Sequence, residues 1–181
     1  MKKTKIVTKI SGGVLFKSES DWDSHKPLLG FAIYKERESL PIIEFGCGKG
    51  STPFISQAIS DVDNVQFLTV DNNIEYLELV KDDVSGVGIA VLVKNYLDFQ
   101  IIDQIGLLFI DCAPGGIRKD LIKKYELQAN VIIVHDTEPG AEYVYGMNEV
   151  LSSFKYRLDY QPEGKPHTTA VSNYIDVTSW C

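Results

Sequence analysis

From residue 41 onward, short apolar blocks alternate with stretches of helical spacing. Pro41 to Phe45 is an apolar run ending in glycines, which predicts a buried strand. Ser51 to Ser60 follows as a helix with Pro53 in its first turn. Val65 to Val70 predicts a second strand, stopped by Asp71-Asn72-Asn73, and Ile74 to Asp83 a helix with apolar residues at 74, 77, 80 and 84. Gly88 to Val93 and Ile105 to Ile110 predict a third and a fourth strand, and Ile117 to Gln128 a helix. Val131 to Val134 predicts a fifth strand, closed by His135-Asp136, and Ala141 to Phe154 one further helix. Tyr156 to Tyr160 and Thr168 to Val177 predict a closing pair of strands around the loop 161–166. Upstream, residues 1–20 are poorly patterned, with Ser11-Gly12-Gly13 as a turn. Asp21 to Ser24 offer helix caps ahead of a helix over 27–37.

Strands that are apolar throughout, rather than alternating, belong to a parallel sheet covered on both faces. The last two strands are joined by a short loop and therefore pair antiparallel. The expected fold is α/β: a doubly wound, mainly parallel seven-stranded sheet with a C-terminal antiparallel hairpin. It forms a single domain over residues 1–181. Residues 1–38 supply an N-terminal segment and helix over the cofactor side, and 39–181 the core. In such sheets ligands bind beyond the carboxyl ends of the strands, where strand order reverses.

The loop Glu44-Phe45-Gly46-Cys47-Gly48-Lys49-Gly50 lies at that place. Its glycines let a ligand approach the backbone, and the helix behind it offers free N–H groups to an anion. Asp71 lies 21 residues past Gly50, where a carboxylate can accept hydrogen bonds from both hydroxyls of a ribose. The dinucleotide fingerprint G-x-G-x-x-G would place Ser51 at its last glycine, and Glu44 suits an ammonium group better than a pyrophosphate.

The loop resembles the first motif of class I S-adenosylmethionine-dependent methyltransferases, E/D-x-G-x-G-x-G, over a span of roughly residues 25–177. The resemblance implies S-adenosyl-L-methionine as cofactor. It implies that Glu44, Gly46, Cys47, Gly48, Gly50 and Ser51 hold the methionine end. Asp71 and Asn72 then lie at the ribose, and Asn95 and Tyr96 near the adenine. The segments around Ser24-His25, Gly50-Ser51, Asp111, His135-Asp136 and Thr168-Thr169 are similar to small bacterial methyltransferase-like proteins, for which the resemblance implies no particular substrate.

Methyl transfer needs an aligned nucleophile and, for oxygen or nitrogen acceptors, help in losing a proton. Asp111, His135 and Asp136 end strands four and five and are the candidate catalytic residues. His25, Arg118, Glu138, His167 and Thr168 are candidate acceptor contacts. Plainer alternatives exist: Asp111 as a turn carboxylate, Asp136 as a capping carboxylate with His135 packed under it, and His25, His167 and Arg118 as solvent-facing. Asp111 and Asp136 are also similar to the acids of metal-dependent small-molecule O-methyltransferases, whose oxygen ligands suit Mg2+. No metal ligand is assigned on that basis.

Charge narrows the partners. Net charge is −7, so a nucleic acid held by its backbone is disfavoured. Arg118, Lys119, Lys123 and Lys124 are expected to form a solvated helix face. Cys112-Ala113-Pro114-Gly115-Gly116 is similar to a first motif of some RNA methyltransferases, but it follows the fourth strand and is set aside. No stretch approaches a membrane span. Three cysteines without a secretory signal point to a reducing, cytoplasmic setting. The expected function is methyl transfer to a small or medium-sized acceptor. A non-catalytic nucleoside-binding module and a nicotinamide-dependent oxidoreductase are the alternatives. The pattern leaves oligomeric state open.

Overall fold

The computed structural model describes residues 2–10, 23–36, 41–63 and 65–180. The expected turn at 11–13 and the cap candidates Asp21 and Trp22 lie outside them.

Eight strands form one sheet: β1 (Lys3–Val7), β2 (Ile42–Phe45), β3 (Phe67–Asp71), β4 (Gly88–Leu92), β5 (Ile105–Ile110), β6 (Ala129–His135), β7 (Tyr156–Tyr160) and β8 (Thr168–Ser172). Their spatial order is β1-β7-β8-β6-β5-β2-β3-β4. The helices are α1 (Lys26–Glu36), α2 (Thr52–Ile59), α3 (Ile74–Val84), α4 (Arg118–Tyr125), α5 (Pro139–Tyr145) and α6 (Asn148–Leu151).

β5 is the middle of the sheet because all six of its residues are buried. Side chains alternate between the two faces of a strand. Leu107 and Phe109 therefore join one core with Ile42, Val131 and Ile133, under Leu28 and Leu29 of α1, Ile55 of α2 and Val80 of α3. Ile105, Leu108 and Ile110 join the other with Ile43, Phe45, Ile132 and Val134, against Leu121 and Ile122 of α4 and Leu151 of α6. A strand wedged between two cores has no polar face, which is why the sequence shows it as an unbroken apolar run.

From β2 the chain winds outward through β3 and β4. It then returns to β5 on the other side of β2 and continues to β6, all in parallel pairing. The reversal of strand order lies between β2 and β5. There Asp111 N–H donates to the Phe45 carbonyl at 2.9 Å, and Gly46 N–H donates to the Val70 carbonyl at 2.9 Å. The expected hairpin is present: β8 runs antiparallel to both β6 and β7.

Four expectations change. The sheet has an eighth strand, because β1 pairs in parallel with the outer side of β7. It is an edge strand with an exposed Lys3 and an exposed Ile6, so it carries no apolar run for a pattern to reveal. β8 ends at Ser172 rather than Val177. The Ser172 hydroxyl accepts from the N–H groups of Tyr174 and Ile175 and donates to the Asn130 carbonyl, which turns the chain. The expected helix over 141–154 is two short helices. Gly146 ends α5 in the left-handed region (φ 62°), its N–H donating to the Glu142 carbonyl. Glu142 then caps α6 by accepting from Asn148 N–H. Finally, the chain enters α4 through a 3-10 turn over Gly115–Ile117.

Among the described residues no helix is long and apolar enough to cross a membrane.

Leu108→Ala removes a fully buried side chain from the central strand. It is expected to lower stability by about 2–5 kcal/mol. Urea titration checks this as a lower midpoint with an unchanged slope.

Candidate functional site

The loop between β2 and α2 is shaped from below. Glu44, the last but one residue of β2, is fully buried and accepts three hydroxyl hydrogen bonds: Ser51 at 2.5 Å, Thr52 at 2.7 Å and Thr69 at 2.6 Å. Thr69 reaches it because the two residues are register partners across β2 and β3. Burial pushes the Glu44 carboxyl up to about 7, the three hydroxyls offsetting only part of that cost. Glu44 thus lies beneath the loop and is not among the residues lining the cavity described below. Its position accounts for Ser51 as well. Ser51 precedes α2, yet its side chain caps no helix N–H and serves Glu44 instead. Thr52 Oγ1 accepts from Gly48 N–H at 3.0 Å.

Gly46 has φ 94°, and a Cβ there would stand 2.5 Å from the Asp111 carbonyl oxygen and the Cys112 Cα. Glycine is required on both counts. At the end of β3, Asp71 accepts from Cys47 N–H at 2.9 Å and from Asn73 N–H at 2.7 Å. These bonds use one site on each carboxylate oxygen, and an ionised carboxylate offers about four. Tyr96 is buried and its hydroxyl lies 3.3 Å from Asn72 N, accepting from that N–H. Asn95 is exposed, and its side chain accepts from Leu97 N–H to cap a 3-10 turn.

Across the sheet reversal, the ends of β5 and β6 bring Asp111, His135 and Asp136 together with Arg118. The guanidinium bridges the two acids, 2.9 Å from Asp111 Oδ1 and 3.1 Å from Asp136 Oδ2. Its remaining donors reach the carbonyls of Cys112 and His135, each at 2.9 Å. Arg118 is therefore buried, correcting the expected solvated face. A sequence spacing of helical residues does not show that the first of them points back under the strand ends. Asp136 turns toward Arg118 with φ 55°, the only left-handed residue other than glycine among the described residues. Aspartate tolerates that region better than most side chains.

His135 Nδ1 lies 3.2 Å from Asp111 Oδ2 and 3.5 Å from Asp136 Oδ1, while its Nε2 lies 2.9 Å from Ser24 Oγ. Burial lowers its basicity, but the hydrogen bond and charge of Asp111, with the charge of Asp136, outweigh that and raise its pKa. Burial alone would raise Asp111, yet His135 and the Arg118 guanidinium hold it below the usual carboxylate range. His25 is buried, not solvent-facing. Its ring stands 4.9 Å from that of His135 and 5.1 Å from that of Phe109. Burial, with help from His135, pushes its pKa down to about 3.

One cavity of about 890 Å³ joins these two regions. Its wall carries Gly46, Cys47, Gly48, Gly50, Ser51, Asp71, Asn72 and Tyr96 on one side, and His25, Asp111, Arg118, His135, Asp136 and Glu138 on the other. His167 and Thr168 are not in the wall: Thr168 is fully buried, and Glu138 accepts from His167 N–H at 3.0 Å. Sequence reasoning missed Tyr145 of α5, which lines the cavity and lies 5.0 Å from the Arg118 guanidinium. Gly115 permits that approach, since a Cβ there would stand 2.3 Å from the Tyr145 ring. Ser24 was legible only as a helix cap, and its place beside His135 had no local signal.

The similarity to metal-dependent O-methyltransferases implied Mg2+ on oxygen ligands of Asp111 and Asp136. The residues do not fit that ion. Arg118 stands between the carboxylates, and Thr137 Oγ1 is engaged by Thr169 Oγ1 at 2.9 Å.

The chain has the fold of S-adenosylmethionine-dependent methyltransferases. It superposes on the O-methyltransferase TomG from Streptomyces achromogenes, solved in complex with SAM, with a TM-score of 0.61 at 14% identity over 89% of this chain and 93% of that one. An O-methyltransferase from Bacillus cereus, in complex with SAH, gives 0.59 at 10% identity over 89% and 86%. A spermidine synthase in complex with a transition-state analogue gives 0.63 at 13% over 88% and 62%, so the fold also serves an enzyme of another name. No protein-family model and no curated protein matches the sequence.

Gly46→Ala is expected to cost at least roughly 3 kcal/mol, because both the φ and the space exclude a side chain. Guanidinium denaturation would show it. Glu44→Gln tests the buried acid. A carboxyl raised from 4.5 to about 7 on folding supports the fold fully below pH 4.5 and loses that support as pH rises through 7. The wild type should therefore lose roughly 3 kcal/mol of stability between those limits, and Glu44→Gln should lack that loss. Unfolding curves of both proteins at pH 4.5, 6 and 8 read the difference.

Proposed function

We propose that this protein is an S-adenosylmethionine-dependent methyltransferase acting on a small or medium-sized acceptor that offers a hydroxyl or amine. The observation that carries the proposal is the single cavity, which has the glycine loop and Asp71 at one end and the Asp111-His135-Asp136 cluster at the other.

The cofactor, when bound, supplies an electrophilic methyl carbon on sulfur. The chain's own residues do the rest. Glu44 holds the loop open by binding Ser51 and Thr52 from below. Thr52 N–H already donates to the Gly48 carbonyl and Pro53 has no N–H, so the methionine end is left to the backbone of the loop itself rather than to the first turn of α2. Asp71 keeps two lone-pair sites for the ribose hydroxyls after binding Cys47 and Asn73. Tyr96 closes the adenine side.

At the other end, Arg118 fixes one oxygen of each acid. Asp136 Oδ1 is left with only its 3.5 Å contact to His135, and it takes the hydrogen bond and then the proton of the acceptor as the nucleophile attacks. Arg118 and His135 are positioning residues that hold the two carboxylates against each other. An acidic protein with a cavity of about 890 Å³ suits a small acceptor rather than a nucleic acid.

Isothermal titration should show one equivalent of S-adenosylmethionine or S-adenosylhomocysteine bound, with Asp71→Ala weakening it by at least about tenfold. Neither compound binding while NADH binds would falsify the proposal in favour of an oxidoreductase. With labelled cofactor and a panel of small phenols, carboxylates and amines, Asp136→Asn should cut turnover by roughly 100-fold or more and leave cofactor affinity unchanged. Cofactor binding without transfer to any acceptor would instead mark a non-catalytic binding module.

A further inference from the structure

His25 is the one histidine of the cluster whose environment the methyl-transfer chemistry does not explain. It is 1% exposed, and both ring nitrogens are buried without a hydrogen-bond partner among the described residues. A buried polar atom left unpaired is costly, so two on one ring call for a ligand. The ring stands edge to face against His135 at 4.9 Å. One ligand atom from each of His25, Asp111 and His135 can be chosen so that all lie within 4.8 Å of one another.

A second observation concerns His135. Its Nδ1 faces two carboxylate oxygens, at 3.2 and 3.5 Å, while its Nε2 faces a hydroxyl at 2.9 Å. A lone pair on Nδ1 would repel the oxygens, so a positive centre must lie between them: a proton or a metal ion. Metal bonds of about 2.0–2.2 Å to nitrogen and oxygen set donor atoms roughly 3–3.5 Å apart, which is the spacing of Nδ1 and Asp111 Oδ2. With Nδ1 as the ligand, Nε2 carries the hydrogen and donates it to Ser24, the outer hydrogen bond that metal-bound histidines usually make.

Charge agrees. Asp111 gives one oxygen to Arg118 and keeps the other, and two carboxylates with one guanidinium leave a net charge of −1. We propose that His25, His135 and Asp111 form a binding site for a divalent transition-metal ion of the zinc or cobalt type, with Ser24 orienting His135. Two imidazoles and a carboxylate suit those ions and not Mg2+. The site is independent of the methyl-transfer proposal, because metal binding is measured without cofactor or acceptor.

Cobalt(II) is the probe. Full-length protein stripped with chelator and titrated with Co2+ should take up one equivalent and develop visible ligand-field absorption. Zn2+ should displace it and a large excess of Mg2+ should not. His25→Phe keeps an aromatic ring against Phe109 but cannot ligate, and should weaken Co2+ binding by at least roughly 100-fold. Ser24→Ala should weaken it by about 10–100-fold. No saturable Co2+ uptake by the folded wild type, or uptake unchanged in folded His25→Phe, overturns the site. If His25→Phe does not fold, imidazole NMR of the wild type decides. Zn2+ should then shift the nitrogens of His25 and His135 and leave those of His167 in place. Shifts confined to His167, or none at all, overturn the site equally.

Discussion

The loops that follow β2 and β5 touch where the Gly46 Cα meets the Asp111-Cys112 backbone, with no room for a further carbon. Everything else in the site takes its place from that contact. The Asp111 N–H bond to the Phe45 carbonyl and the Gly46 N–H bond to the Val70 carbonyl lock three strand ends into one plane. The glycine loop can then lie over β3, and the polar cluster over β6, with a shared space between them. Were the two loops separated by a side chain, the cavity would become two clefts.

Charge on the far side is settled by Arg118. Two carboxylates at the ends of adjacent strands would repel each other, and burial would favour their protonation. The guanidinium, itself buried, removes that conflict by binding one oxygen of each and spending its other donors on two backbone carbonyls. What remains is directional: one free edge on each acid, facing His135. Glu44 shows the opposite solution on the near side. It has no cation and is solvated by three hydroxyls instead, and the burial still raises its pKa to about 7. One side uses a cation to hold its acids together, while the other uses three hydroxyls to make Glu44 a peg for the loop.

The central sheet was legible because β2, β5 and β6 are buried on both faces and must be apolar throughout. The glycine loop was legible because its backbone conformation restricts the residue types allowed there, at Gly46 above all. β1 was hidden by its exposure, and the break between α5 and α6 by a glycine that helical spacing alone does not distinguish from a tolerated one. Within the site, the positions of Asp111, His135 and Asp136 followed from strand ends. The inward turn of Arg118, the burial of His25 and the approach of Ser24 did not. They depend on how α1 and α4 pack across the sheet, which is long-range information absent from any local window.

The meeting of Gly115 with the Tyr145 ring carries a consequence for how such a protein diversifies. Tyr145 is one wall of the cavity, and it rests against Gly115, whose carbonyl accepts from the Arg118 backbone N–H. A single added methyl at 115 would displace the aromatic wall, and with it the ring against which the Arg118 guanidinium lies. On the proposed function, a lineage built on this scaffold would change its acceptor wall through steps at the 3-10 turn and α5, away from the glycine loop that follows β2.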